Sequence, residues 1–359
     1  MSSVSLQSVN KVYGGHVAVR DLNLEIAEGE FVVLLGPSGC GKTTTLRMIA
    51  GFVDPSSGCI ALGGKDVTEL PPRQRDIGMV FHNYALFPHM KVRDNIAYGL
   101  HRRGVARKKA DLRVDELLDT VKLTGYADHL PEELSGGQQQ RVSLARAIAH
   151  TPKVLLMDEP LGALDMKLRE QLQDEIHRIQ KSLGVTTIFV THDQHEAMAL
   201  ADRIVLMEGG AVHQQGTAAE IYLHPKSEFA AGFVGKCNLL QATYLGGGLA
   251  RLAGGKKATV TDVGDSVRPG DGLRLSLRPE VLRVVPAREA NGLEEAWLMA
   301  CVTQRRFLGS IVHYRLRTTG GDALLAESRH LNLEVGAEVA VSWSPEYLTA
   351  FSDAGSRAQ

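Results

Sequence analysis

The apolar positions of this chain follow two patterns that replace one another along its length. Glu30-Phe31-Val32-Val33-Leu34-Leu35 carries its apolar side chains without a break, which predicts a short strand buried on both faces. Val154-Leu155-Leu156-Met157 and Thr187-Ile188-Phe189-Val190 are runs of the same kind. Short strands and turns are expected over 4–88. From 92 to 149 the spacing becomes helical, as in Val142, Leu144, Ala145 and Ile148. Strands return at 154–158, 185–190 and 203–207 with helices between them, the order that a parallel α/β sheet requires. Beyond Asn238 the pattern changes again. Runs such as Leu273-Arg274-Leu275-Ser276-Leu277 and Ile311-Val312-His313-Tyr314-Arg315-Leu316 stand between Gly-rich turns, which predicts an all-β, OB-like barrel. The expected organisation is an α/β domain over 4–235 with a helical subdomain at about 90–150, a boundary around His224-Pro225 to Gly235, and a β domain over 238–355.

Composition narrows the class. The 359 residues are 44% hydrophobic and 23% charged, enough for two domains. Forty basic against 41 acidic residues give a formal net charge of −1, which argues against a dedicated nucleic-acid binder. No run reaches the ~18 apolar residues of a membrane span, and Met1-Ser2-Ser3-Val4 lacks the flanks of a secretory signal. Cys40, Cys59, Cys237 and Cys301 show no C-x-x-C spacing, so a reducing, cytosolic compartment is expected. The basic stretch from Arg102 to Lys109 reads as a solvated helix face, with anionic lipid as a conceivable contact.

The candidate chemistry lies where the patterns meet. Gly36-Pro37-Ser38-Gly39-Cys40-Gly41-Lys42-Thr43, followed by Thr44, fits G-x-x-x-x-G-K-[ST] between a strand and a helix. Backbone N–H groups of such a loop and the helix N-terminus receive phosphate. Lys42 would reach the β- and γ-phosphates, and the Thr43 hydroxyl would bind Mg²⁺. Asp158 and Glu159, adjacent at a strand end, should point to opposite sides. Ser135-Gly136-Gly137-Gln138 is a capping-box helix start that also offers N–H groups to an anion. Asp193 and Glu196 read as an N-cap and its capping-box partner. His192 and His195 suggest a metal pair but lack a third ligand at helical spacing. Cys40, beside Lys42 and a helix N-terminus, is expected to have a lowered thiol pKa and to block ATP binding when alkylated.

The phosphate loop, Leu134-Ser135-Gly136-Gly137-Gln138-Gln139-Gln140 and Asp158-Glu159, in that order, resemble the ATP-binding subunit of an ABC transporter over roughly residues 4–235. The resemblance implies that Tyr13 stacks on adenine, Asp158 serves Mg²⁺ and Glu159 is the general base. It implies that His192 contacts the γ-phosphate and orients water, and that Ala163-Leu164-Asp165 couples two sites. It further implies that Ser135–Gln138 contacts ATP held by a second copy in a head-to-tail dimer. Leu277-Arg278-Pro279-Glu280 and Phe307-Leu308-Gly309-Ser310 resemble the C-terminal domain of solute-importer subunits, closest to the polyamine, opine and phosphonate type. Ferric-ion or sugar import is the nearest alternative; a non-transport ABC ATPase or a scaffold with a dead site are others. An importer subunit implies permease subunits that dock near 83–90, where Tyr84, Phe87 and Met90 offer apolar contacts. It also implies a solute-binding protein acting indirectly, and a peripheral place on the cytoplasmic face of the membrane. One position departs: His82 stands where the family has a glutamine that ligates Mg²⁺. A neutral imidazole can donate a lone pair to a metal and favours softer ions such as Mn²⁺.

Overall fold

A computed structural model describes residues 2–162, 164–260, 263, 267–290, 298–329 and 332–352; Met1, Ala163 and positions 353–355 of the expected β domain lie outside the described residues. The chain divides into two compact units, Met1–Ala218 and Ala219–Gln359.

In the first unit, β1 (Val4–Tyr13) and β2 (His16–Ile26) form a hairpin. Next come β3 (Phe31–Leu35), α1 (Lys42–Ala50), β4 (Ser57–Leu62) and the short β5 (Lys65–Asp66). β6 (Ile77–Val80) leads into α2 (Val92–Arg102), α3 (Arg107–Thr120) and α4 (Gly136–Ile148), which are the expected helical stretch. β7 (Val154–Asp158), α5 (Met166–Leu183), β8 (Thr186–Thr191), α6 (Gln194–Leu200), β9 (Arg203–Glu208) and β10 (Ala211–Gly216) complete it.

Among the described residues the larger sheet has the order β10-β9-β3-β8-β7-β6, and the smaller one β2-β1-β4-β5. β3 pairs in parallel with β8 and β9, and β7 in parallel with β8 and β6. Every residue of β3, β7 and β8 is buried, as unbroken apolar runs require when both faces are covered. Parallel pairing brings the carboxyl ends of these three strands to one edge of the sheet, where open α/β sheets place their ligands.

Arg75 secures the helix that leaves the phosphate loop. Its buried guanidinium donates to the carbonyls of Met48 (2.7 Å) and Ile49 (2.9 Å) in the last turn of α1, and to Leu70 (2.7 Å) and Thr68 (2.9 Å). A cation at a helix C-terminus meets both the dipole and the orphan carbonyls.

The second unit opens with α7 (Ala218–Leu223) and α8 (Glu228–Phe233). Ten strands follow: β11 (Asn238–Gly246), β12 (Leu249–Leu252), β13 (Lys257–Thr259), β14 (Gly272–Leu277), β15 (Arg283–Pro286), β16 (Leu298–Phe307), β17 (Val312–Thr318), β18 (Ala323–Ser328), β19 (Glu338–Ser342) and β20 (Thr349–Ser352). They build two sheets, β13-β12-β11-β14-β20 and β15-β19-β16-β17-β18, around a core that includes Leu240, Leu275, Val302, Tyr314 and Leu316. This is the all-β, OB-like domain anticipated from the alternating runs. Arg278 of the Leu-Arg-Pro-Glu segment stacks 4.1 Å over Tyr222 and donates to the carbonyls of Tyr222, Ala231 and Lys236. Half-buried, with the Glu280 carboxylate against it, the Tyr222 hydroxyl is pushed up to a pKa of about 12, first by loss of solvent and then by that carboxylate.

Arg75→Ala is expected to lower the unfolding free energy by about 2–4 kcal/mol, because buried carbonyls lose their donors together. Arg75→Lys should recover little, since one ammonium does not span four carbonyls. Equilibrium denaturant unfolding followed by circular dichroism measures both.

Candidate active site

The phosphate loop begins directly after β3. A Cβ on Gly36 would lie 2.3 Å from the Met207 carbonyl oxygen, and one on Gly41 2.5 Å from that of Ala18. Gly41 also caps α1 with φ +98°, a conformation that disfavours other residues. Ser38 and Gly39 are exposed at the tip, Pro37, Thr43 and Thr44 are half-buried, and Lys42 is only 5% exposed. The Lys42 ammonium curls back onto the carbonyls of Gly36 (2.7 Å) and Pro37 (2.9 Å). Among the described residues it makes no ion pair with a carboxylate.

Cys40 corrects the expectation drawn from its neighbours. Its thiol is buried against Gly36 and sits 3.7 Å from Lys42 Nζ. Loss of solvent raises its pKa by more than the lysine charge lowers it. It is a packing residue of the loop rather than an activated thiol.

Thr43 Oγ1 donates to Asp158 Oδ1 at 3.0 Å, and Asp158 is 3% exposed at the end of β7. A hydroxyl beside a nearly buried carboxylate is a hard oxygen pair that suits Mg²⁺. Glu159 follows Asp158, just past the end of the strand. Its N–H continues the ladder to the Val190 carbonyl (3.0 Å), while its φ of +45° lies in the left-handed region, which is strained for a side-chain-bearing residue. Its Oε2 lies 3.1 Å from Nδ1 of His192, which follows β8 and is mostly exposed. The parallel register of β7 and β8 therefore joins the two residues that sequence reasoning proposed separately.

Asp193 caps α6 as expected, accepting from the N–H groups of His195 and Glu196. Glu196 does not return the bond. Its buried carboxylate takes the Thr191 hydroxyl at 2.6 Å, and burial raises its pKa. His195 is the second residue of the same helix.

Ser135 and Gln138 form the anticipated capping box, with Ser135 N–H on Gln138 Oε1 (2.8 Å) and Gln138 N–H on Ser135 Oγ (3.4 Å). Ser135 and Gly136 are exposed and Gly137 is buried. Among the described residues no hydrogen bond joins this turn to the phosphate loop. Tyr13, at the tip of the first hairpin, is 46% exposed with Lys11 Nζ 4.8 Å from its ring. Asp165 caps α5 through the Leu168 N–H. His82 is exposed.

Two arginines were missed by reading the sequence. Arg169, on the first turn of α5, donates to the Leu164 carbonyl (3.1 Å) and to Asp193 (2.8 Å), so it ties the segment before Asp165 to the one after His192. Arg146 of α4 donates to the carbonyls of Tyr84 (2.9 Å) and Ala85 (2.7 Å), while Ser143 Oγ adds a bond to Tyr84 (3.0 Å). Tyr84 and Ala85 both have positive φ, so these bonds hold a kink two residues after His82. Arg169 lies in the first turn of its helix and Arg146 well past the start of its own, and polar spacing alone singles out neither. Tyr84 itself is buried, so of the aromatic residues expected to meet a partner it belongs to the core.

Comparison with known proteins identifies the family. The ABC transporter family matches residues 19–162, and the TOBE domain matches 275–351. The spermidine/putrescine import ATP-binding protein PotA of Thermobifida fusca (strain YX) is 44% identical over 96% of this chain and 92% of its own. The Fe(3+) ions import ATP-binding protein FbpC 1 of Rhizobium meliloti (strain 1021) is 44% identical over 90% of each. A dimeric ATP-binding cassette in a post-hydrolysis state bound to ADP and Pi superposes with a TM-score of 0.54 at 32% identity, covering 60% of this chain and 98% of that one. With its nearly full-length likeness to import subunits and its TOBE domain, the chain belongs to the ATP-binding proteins of ABC-type importers.

Proposed function

We propose that a head-to-tail pair of these chains hydrolyses ATP to drive import of a polyamine of the spermidine/putrescine class. Membrane permease subunits would carry the solute, a solute-binding protein would deliver it, and the pair would work from the cytoplasmic face. One observation carries the hydrolytic reading: the Glu159–His192 contact at 3.1 Å lies one residue beyond the Thr43–Asp158 contact at 3.0 Å, beside a buried lysine in a phosphate loop. The polyamine assignment is favoured over ferric ion because the Thermobifida fusca relative matches 96% of the chain and the ferric-ion relative 90%.

Backbone N–H groups of 36–44 and the Lys42 ammonium bind the β- and γ-phosphates. Thr43 and Asp158 would hold Mg²⁺, which when bound offsets charge on the phosphate oxygens. Glu159 takes a proton from the attacking water, and His192, within hydrogen-bond reach of it, keeps that water in line with the γ-phosphate. Tyr13 offers an exposed ring for adenine. The exposed Ser135–Gly136 helix start has no partner in its own phosphate loop and donates to ATP held by the second chain, while Asp165 lies at the coupling segment between the two sites. His82 would add a nitrogen donor to that metal.

With permease and binding protein reconstituted in vesicles, putrescine or spermidine should stimulate ATP hydrolysis. Glu159→Gln should reduce the stimulated rate by about 10²–10⁴-fold. Stimulation by ferric ion alone would reassign the solute, and indifference to every solute would remove the import reading. Because each site borrows Ser135–Gln138 from a second chain, specific activity of the isolated chain should fall on dilution; a constant specific activity at all dilutions would contradict the shared site. His82→Gln should raise the ratio of Mg²⁺- to Mn²⁺-supported rates several-fold, since an amide oxygen suits the harder ion. An unchanged ratio would place His82 outside the metal's reach.

A further inference from the structure

A bulge in β16 gathers cations around one cavity of the second unit. Up to Val302 the even-numbered residues of this strand, Leu298, Ala300 and Val302, face the core. The pairing then slips: Val302 stands opposite Leu316, but Gln304 stands opposite Arg315 and Arg306 opposite His313. The extra residue at Thr303 turns Gln304 and Arg306 onto the outer face, a re-aiming that bulges commonly perform next to functional sites. β17 presents His313 and Arg315 on that face, with Tyr314 and Leu316 inward. β18 adds Leu325 opposite Arg315 and Glu327 opposite His313.

The cavity so formed measures about 420 Å³ and is lined by Lys236, Gln304, Arg306, His313 and Arg315, with Leu308 and Leu325 as its apolar wall. Glu327 is already shared, lying 2.8 Å from His313 Nε2 and 3.3 Å from Lys236 Nζ. Neither Arg306 nor Arg315 makes an ion pair among the described residues. Two guanidinium groups and an ammonium therefore face one space against a single carboxylate.

We infer that this cavity binds a phosphate group carried on a larger molecule, with Arg306 and Arg315 as the two forks and Lys236 as a third cation. Planar guanidinium groups match oxyanions two bonds at a time. The volume lies within the roughly 300–1,000 Å³ of small-ligand pockets, and Leu308 and Leu325 give an organic remainder something to cover. The same chemistry is found on a soluble phosphate monoester and on the headgroup of an anionic phospholipid. Phe307 and Leu308, 70% and 44% exposed beside the cavity, are what a headgroup source would use. The inference rests on residues of the second unit alone and is independent of the ATPase assignment.

The test uses the full chain, its phosphate loop first saturated with a non-hydrolysable ATP analogue so that added phosphate cannot report from there. Glycerol 3-phosphate binding is measured by calorimetry. Sedimentation with phosphatidylglycerol–phosphatidylcholine vesicles, against phosphatidylcholine alone, measures the headgroup. At least one probe should bind, and Arg306→Gln combined with Arg315→Gln should weaken it tenfold or more without a change in melting temperature. Glu327→Gln, which frees Lys236 from its carboxylate, should tighten binding several-fold, a gain that misfolding does not produce. Binding of the soluble probe alone identifies a metabolite site, and binding of the vesicles alone a headgroup site. The inference is overturned if neither probe binds, if the double variant binds as the wild type does, or if Glu327→Gln weakens binding.

Discussion

The first unit is organised around an ammonium that it buries with no carboxylate paired to it among the described residues. Removing a charge of this kind from water costs several kcal/mol unless something polar receives it. Here the receivers are two carbonyls of the Lys42 loop itself, Gly36 and Pro37. Carbonyl dipoles solvate the charge without neutralising it, so an anionic ligand remains the better partner. The fold supplies what such a loop needs: a strand that cannot shift because both its neighbours and both its faces are occupied, and a helix whose far end is tied by Arg75. Lys42 can be held ready only because the backbone on either side of it is fixed.

Much of this was legible in the sequence. Unbroken apolar runs located β3, β7 and β8, and glycine spacing located the phosphate loop. Ser135-x-x-Gln138 announced a capping box, which forms with both of its bonds. These features are local: each depends on residues a few positions apart. Features that depend on what a side chain meets across space were not legible. Cys40 has the neighbours of an activated thiol, but it packs inward and burial outweighs the nearby charge. Glu196 has the spacing of a capping partner, yet Thr191 at the end of β8 offers its carboxylate a bond inside the protein. The bulge at Thr303 has no composition signature, and without it Arg306 would face the core.

Arginine accounts for a further part of what was missed, for a specific reason. Arg75, Arg146 and Arg169 all spend donors on backbone carbonyls, as does Arg278, whose motif but not its carbonyl partners the sequence showed. A carbonyl belongs to every residue, so the acceptor leaves no mark in the sequence. What such a guanidinium does is join segments that have no other polar reason to move together. Arg146 holds the left-handed pair Tyr84–Ala85 from the helix that begins at Ser135. Arg169 links the Leu164 carbonyl to Asp193. Each connects two segments that the resemblance had named one at a time.

Glu159 shows why these links matter to chemistry. Its backbone sits at φ +45°, a conformation that costs roughly 1–3 kcal/mol for a residue with a side chain. Besides the Gly162 N–H on its carbonyl, two contacts hold it there, the N–H on the Val190 carbonyl and the carboxylate on His192. Both partners belong to β8 or the residue just after it, and Arg169 grips Asp193, the residue after His192. The position of Glu159 is therefore set from β8 and α5 as much as from its own strand. A displacement of α5, whose N-cap is Asp165, would pass through Arg169 to Asp193, along the chain to His192, and then to Glu159. In the proposed head-to-tail pair, with sites shared across Ser135 and Asp165, that sequence of contacts would provide a physical route from one site to the other.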